Sequence, residues 1–131
     1  MEHGERRTYP RANLKWRVVA EVNDKVMEGV TQDISAGGAY VRCAKPKKLN
    51  EVFNMVIHAP DRSLQVTAEV VWSNIYGPDD EINPRGMGVS FLGISDEDRQ
   101  FISRAVNEEI AKIVPPERSK SVVIGSEKSS Q

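Results

Sequence analysis

Cysteine occurs once in this chain of 131 residues, at Cys43, and histidine twice, at His3 and His58. A lone thiol cannot close an internal disulfide, so nothing in the fold asks for an oxidising compartment. The three residues together are too few for an ordinary Cys/His structural zinc site. Long apolar runs are missing as well: none approaches the roughly 20 residues of a membrane-crossing helix. The opening MEHGERRTYPR has no apolar stretch of the signal-peptide kind. Charge of one sign is not in excess either, with 18 Lys and Arg against 19 Asp and Glu and a net charge of −1. Such a chain does not bind nucleic acid or an anionic membrane through its overall field, although a local basic patch can exist. These absences lead us to expect a cytoplasmic, single-domain protein without metal or cofactor, without DNA or RNA as partner and without membrane insertion.

What is present is ordinary folded-protein material: 39% hydrophobic and 28% charged residues exclude a disordered chain. Three parts are expected. Residues 1–13 form a flexible, Arg-containing lead, residues 14–114 the folded body, and residues 115–131 a disordered tail rich in Ser, Lys and Glu. In that tail Val122-Val123-Ile124 is the only apolar cluster. The body reads as β-structure. Leu14, Trp16, Val18, Ala20 and Val22 recur at period 2, on one face of a half-buried strand. Asn23-Asp24 reads as a tight turn into Val26–Thr31, and Ser35–Gly38 as the turn into Ala39–Cys43. Val52–His58, Leu64–Trp72 and Gly88–Leu92 complete about six short strands at hairpin-like spacing, the pattern of an antiparallel barrel or sandwich. The period then changes. Ser95 with Asp96, Glu97 and Asp98 supplies an N-cap and an acidic first turn. Phe101, Ile102, Ala105, Val106, Ile110 and Ile113 follow at helical steps, and Pro115-Pro116 ends the helix. The connection Tyr76–Arg85, with two prolines and three acids, reads as a solvated loop.

No catalytic constellation is legible. His58 ends a strand, Asp79-Asp80-Glu81 are consecutive loop acids, and Cys43 reads as a small core residue. An enzyme is therefore not expected. Trp16 and Trp72 fall at strand positions that read as core. The arginines differ. Arg6, Arg7 and Arg11 share a segment with Pro10, so they lie on an extended or irregular stretch. Their planar forks match phosphate and the O6 and N7 atoms of guanine. Downstream, Thr31–Gly38 can be a hairpin turn whose Asp33 and Ser35 satisfy local backbone groups. It can equally present a carboxylate, a hydroxyl and backbone N–H groups to a ligand.

Together the two segments resemble the PilZ domain, a bacterial receptor module for cyclic di-GMP. Arg7-Thr8-Tyr9-Pro10-Arg11 resembles that family's RxxxR stretch, and Asp33-Ile34-Ser35-Ala36-Gly37-Gly38 its [D/N]xSxxG stretch, with a strand pair's length between. Glu69-Val70-Val71-Trp72 and Gly86-Met87-Gly88-Val89-Ser90-Phe91 resemble its later strand patterns. In this chain the glycines of the latter read as strand-edge positions allowing bend or close packing. The resemblance spans about Arg6 to Ile113 and implies an all-β fold, a six-stranded antiparallel split barrel with one C-terminal α-helix. It further implies that Arg7 and Arg11 grip guanine edges and phosphates, that Asp33 accepts from a guanine Watson–Crick edge, and that Ser35 with the Gly37 and Gly38 backbone completes the surface. A basic residue at Arg6 accompanies two stacked ligand molecules per chain. The function so implied is second-messenger signalling by ligand-ordered docking to an unidentified protein partner. A ligand-independent adaptor of the same fold is the alternative, and an OB-type single-strand-binding barrel a second, disfavoured by the net charge and the core reading of both tryptophans.

Overall fold

Asn23 (φ 53°) and Asp24 (φ 65°) both take left-handed backbone. That is the geometry of a type I′ turn, whose twist matches that of two antiparallel strands. β1 (Arg17–Val22) and β2 (Lys25–Ser35) pair on either side of it, from Val22↔Lys25 to Arg17↔Val30. The computed structural model describes residues 9–113. Four more strands follow, β3 (Gly38–Cys43), β4 (Val52–His58), β5 (Ser63–Asn74) and β6 (Gly86–Gly93), then one helix, α1 (Asp96–Ile113). Every neighbouring pair is antiparallel, and the order β1-β2-β3-β6-β5-β4 closes into a barrel. The expected six strands and C-terminal helix are all present. Several strands run further than expected: β2 reaches Ser35, β5 reaches Asn74, and β6 begins at Gly86. Leu14–Trp16 instead precede β1.

Closure is uneven. β1 and β4 pair only from Arg17↔His58 to Val19↔Val56. Beyond that they part around a cleft of about 760 Å³, lined by Ala20, Glu21, Asn54 and Met55 among others.

Inward alternation supplies the core. Val18 and Ala20, Ala39 and Val41, Met55 and Ile57, Leu64 to Val70 at every second residue, and Met87 and Val89 are all buried. Each large aliphatic side chain so buried contributes about 1.5–3 kcal/mol. The hydroxyl of Thr31, fully buried on β2, is satisfied: it accepts from the Trp16 amide (2.8 Å) and donates to the Leu14 carbonyl. The helix begins as its sequence predicts, with Ser95 Oγ accepting from the Asp98 amide (3.0 Å). Ile102 and Val106 join the core, and Phe101 packs against Trp16 with ring centroids 6.0 Å apart.

Two of the breaks in register have consequences for the outer surface. On β2, Thr31 faces Val41 but Asp33 faces Tyr40, so Gln32 is an extra, bulged residue. Unbroken alternation from the buried Thr31 would turn Asp33 inward. With the bulge, Ile34 fills the core and Asp33 points out. On β5, Val70 faces Val89 but Trp72 faces Gly88, so Val71 is the extra residue. Trp72, expected in the core by its period-2 position, is consequently 61% exposed, whereas Trp16 is buried as expected.

The connection between β5 and β6 has an internal frame. Asn74 donates from Nδ2 to the carbonyls of Pro78 (3.0 Å), Asn83 (3.0 Å) and Pro84 (3.2 Å) and accepts from the Gly77 amide (3.0 Å). Asp79 accepts from the Arg85 amide, and Asp80 from those of Ile82 and Asn83. Two of the three loop acids thus hold the loop's shape, while Tyr76 and Ile82 stay exposed.

Candidate ligand-binding site

A single antiparallel bridge carries the end of the lead onto the barrel. Ala12 donates to the Ile34 carbonyl (3.1 Å) and accepts from the Ile34 amide (3.0 Å). Ile34 can reciprocate because the bulge at Gln32 has set its phase. The bridge lays Arg11 beside Asp33, whose Oδ1 accepts from Nε of the guanidinium (3.0 Å) and lies 3.0 Å from Nη2 in the same ion pair. Half-exposed pairs of this kind are worth about 0–1 kcal/mol, so a ligand can replace either partner at little cost.

The turn between β2 and β3 forms the floor. Ser35 is buried, its Oγ accepting from the Gly37 amide (3.1 Å) and donating to the Gly38 carbonyl (3.4 Å). The hydroxyl therefore shapes the turn, and the Gly37 amide is taken up by it. Neither glycine has a positive φ; close approach is what both positions require. A Cβ at Gly38 would collide with the Val89 carbonyl oxygen, and one at Gly37 would stand 2.9 Å from Cδ2 of Tyr9. Above this floor is a cleft of about 300 Å³ lined by Tyr9, Arg11, Gly37, Gly38, Ser90 and Arg99 among others. Arg99 comes from α1: its Nη1 donates to the Ala36 carbonyl (3.3 Å), and its guanidinium lies 6.0 Å from the Tyr9 ring centroid.

Cross-strand register extends the site sideways. Asp33 faces Tyr40, Tyr40 faces Gly88 and Gly88 faces Trp72, one row across four strands of the outer surface. A second cleft, about 440 Å³, opens beside it between Gln32, Tyr40, Trp72, Ile82 and Pro84. Tyr40 fixes its wall by donating to the Pro84 carbonyl (2.6 Å), and burial raises its phenol pKa, so it remains a donor.

Of the residues the sequence singled out, Arg11, Asp33, Ser35, Gly37 and Gly38 are brought together here, while Arg6 and Arg7 lie outside the described residues. Sequence reasoning missed Tyr9, Trp72 and Arg99. Tyr9 stood inside the arginine stretch as a spacer, Trp72 read as core, and Arg99 carries no signal in a helix whose other marks are an N-cap and an apolar stripe. Cys43 is buried as expected, which pushes its thiol up to about 11. His58 is exposed with Ser63 Oγ 3.2 Å from its Nδ1. Among the described residues no three His, Cys, Asp or Glu side chains group to hold a metal, and no helix is long and apolar enough to cross a membrane.

The family model for the PilZ domain matches residues 5–108. The chain belongs to the PilZ domain family. Solved structures agree on the fold. This PilZ domain is similar to the Bacillus subtilis inhibitor of motility MotI/DgrA, with a TM-score of 0.70 and 21% identity over 82% of this chain and 52% of that one. It is also similar to the PilZ domain of YcgR from Escherichia coli, solved with c-di-GMP, with a TM-score of 0.64 and 15% identity over 88% of this chain and 97% of that one. The PilZ domain of CeSA from a cellulose-synthesizing bacterium matches at a TM-score of 0.50 and 25% identity, over 76% of this chain and 96% of that one. This chain spans about half the length of the B. subtilis protein. No curated protein matches it.

Proposed function

We propose that this PilZ domain is a cytoplasmic, non-enzymatic receptor for cyclic di-GMP that signals by docking to a protein partner once the ligand has ordered its arginines. The observation that carries the reading is the Arg11–Asp33 pair, whose arginine lines the 300 Å³ cleft together with Gly37 and Gly38. A guanidinium can donate bidentately to guanine O6 and N7. The carboxylate beside it accepts from the N1–H and N2–H₂ edge, so the two groups that satisfy each other without ligand are complementary to the two edges of guanine. Trp72, in the same row as Asp33, offers a face on which a base can stack. Arg7 is the second motif arginine. Arg6 offsets the phosphate charge of a second, stacked ligand, which gives two molecules per chain. The partner meets the surface that ligand and Trp72 share.

Calorimetric titration of cyclic di-GMP tests this. Wild type is expected to bind two ligands, Arg6→Leu to move towards one, and Arg11→Ala to lose about 1–3 kcal/mol of affinity. Ligand at about 100 times its dissociation constant stabilises the fold by about 2.7 kcal/mol. No heat and no melting shift with wild type would refute the receptor reading in favour of the ligand-independent adaptor.

A further inference from the structure

Among the described residues Arg99 is a charge with no carboxylate partner. It stands in the opening turns of α1, where the helix dipole favours anions and a cation gains nothing. Three acids precede it, Asp96, Glu97 and Asp98. Among the described residues none of them pairs with it, and Asp98 is engaged by Arg62 (3.5 Å). A guanidinium carries five N–H donors in a fixed fork. Only Nη1 of Arg99 has a partner among the described residues, the Ala36 carbonyl at 3.3 Å. The Tyr9 ring holds its flat face at 6.0 Å, the outer edge of cation–π range. The side chain nevertheless forms part of the wall of the motif cleft.

We propose that Arg99 is a further ligand-binding residue, which takes a phosphate of the nucleotide from the helix side of the cleft. The inference rests on the receptor reading above and divides the work among the arginines. Arg11 is committed to Asp33 and, with it, forms a surface suited to a base edge. Among the described residues Arg99 has no carboxylate to give up, so an anion gains its donors there without breaking an ion pair. Tyr9 and the Ala36 carbonyl hold the fork in place beforehand, which lowers the ordering cost of the contact. Since Arg99 belongs to α1, binding would also tie the C-terminal helix to the ligand.

Titrating cyclic di-GMP into the 131-residue wild type, Arg11→Ala and Arg99→Gln tests this. Gln retains an amide donor for the Ala36 carbonyl and removes the charge, so ligand-free melting of Arg99→Gln should stay close to wild type. Its affinity should fall on the order of ten- to a hundredfold, the worth of a hydrogen-bonded charge. In wild type the Arg99 side-chain Nε–H resonance, assigned by its loss in the Gln variant, should shift as ligand is added. Wild-type affinity in Arg99→Gln, with Arg11→Ala impaired, overturns this inference alone. Weakened binding with an unmoved Arg99 resonance also overturns it, since the residue would then position the helix without touching ligand. Absence of binding by the wild type overturns the receptor reading and the inference with it.

Discussion

The bulges on β2 and β5 do the same thing to two different side chains. Each inserts one residue, Gln32 or Val71, and each turns outward a side chain that strict alternation would point into the barrel. On β2 the result is a carboxylate where an arginine can reach it. On β5 it is an indole left 61% exposed on the same cross-strand row. Only the first was visible in the sequence, because Asp33 sits in a motif of recognisable spacing, whereas Trp72 sits in an uninterrupted β-branched run. The comparison teaches that a core reading fails where a strand is re-aimed, as at Trp72, and that both re-aimed side chains fall on one outer surface.

The largest effect should separate the two tryptophans. Trp16→Ala removes a buried ring packed on Phe101 and is expected to cost about 3–5 kcal/mol in a urea melt. Trp72→Ala removes an exposed one and should stay within about 0.5 kcal/mol. Equal losses would mean that the β5 bulge does not expose Trp72.

Affinity should then reunite the two bulges. Asp33→Ala is expected to lose about 1–3 kcal/mol of cyclic di-GMP binding, and Trp72→Ala about 1–3 kcal/mol if a base stacks there, both with near-native melting. Wild-type affinity in Trp72→Ala would confine the ligand to the β2 side of the row. Fluorescence quenching on titration, lost in that variant, is the direct check.

The smallest effect concerns Cys43, at the end of β3 away from the glycine turn. Its thiol is held protonated up to about 11 in the fold, while an unfolded thiol ionises near about 8.5. The contribution of this group is complete below that lower value and declines as pH rises through the interval towards 11, because there the unfolded chain has released a proton that the fold retains. Urea midpoints of wild type should drop more steeply than those of Cys43→Ala between these limits. Parallel curves would show that the thiol titrates normally.

Much of the barrel was legible for plain reasons. Asn23-Asp24 announced a turn by tolerating left-handed backbone, and Trp16, Val18 and Ala20 announced an inward face by alternation. Ser95 and three acids announced the helix start. The strand-edge glycines were legible as close-packing positions at Gly86, where a Cβ would meet the Val41 carbonyl oxygen. Long-range partners were not: no local pattern says that Ala12 bridges to Ile34, that Tyr9 covers Gly37, or that an arginine on the helix reaches the carbonyl of Ala36. Ser35, read as part of the ligand-facing surface, has its hydroxyl spent inside the turn, a competition between local and external partners that spacing alone does not resolve.

The short seam between β1 and β4 gives the barrel a preferred place to come apart. Opening costs least where the fewest ladder bonds must break, and here that is the stretch from Arg17↔His58 to Val19↔Val56. Unrolling there leaves a six-stranded sheet with β3 and β6 still paired at its centre, so the floor of the motif cleft outlasts the closure of the barrel. Amide hydrogens along the seam would then exchange through local openings, and those of Gly38 to Arg42 through global unfolding.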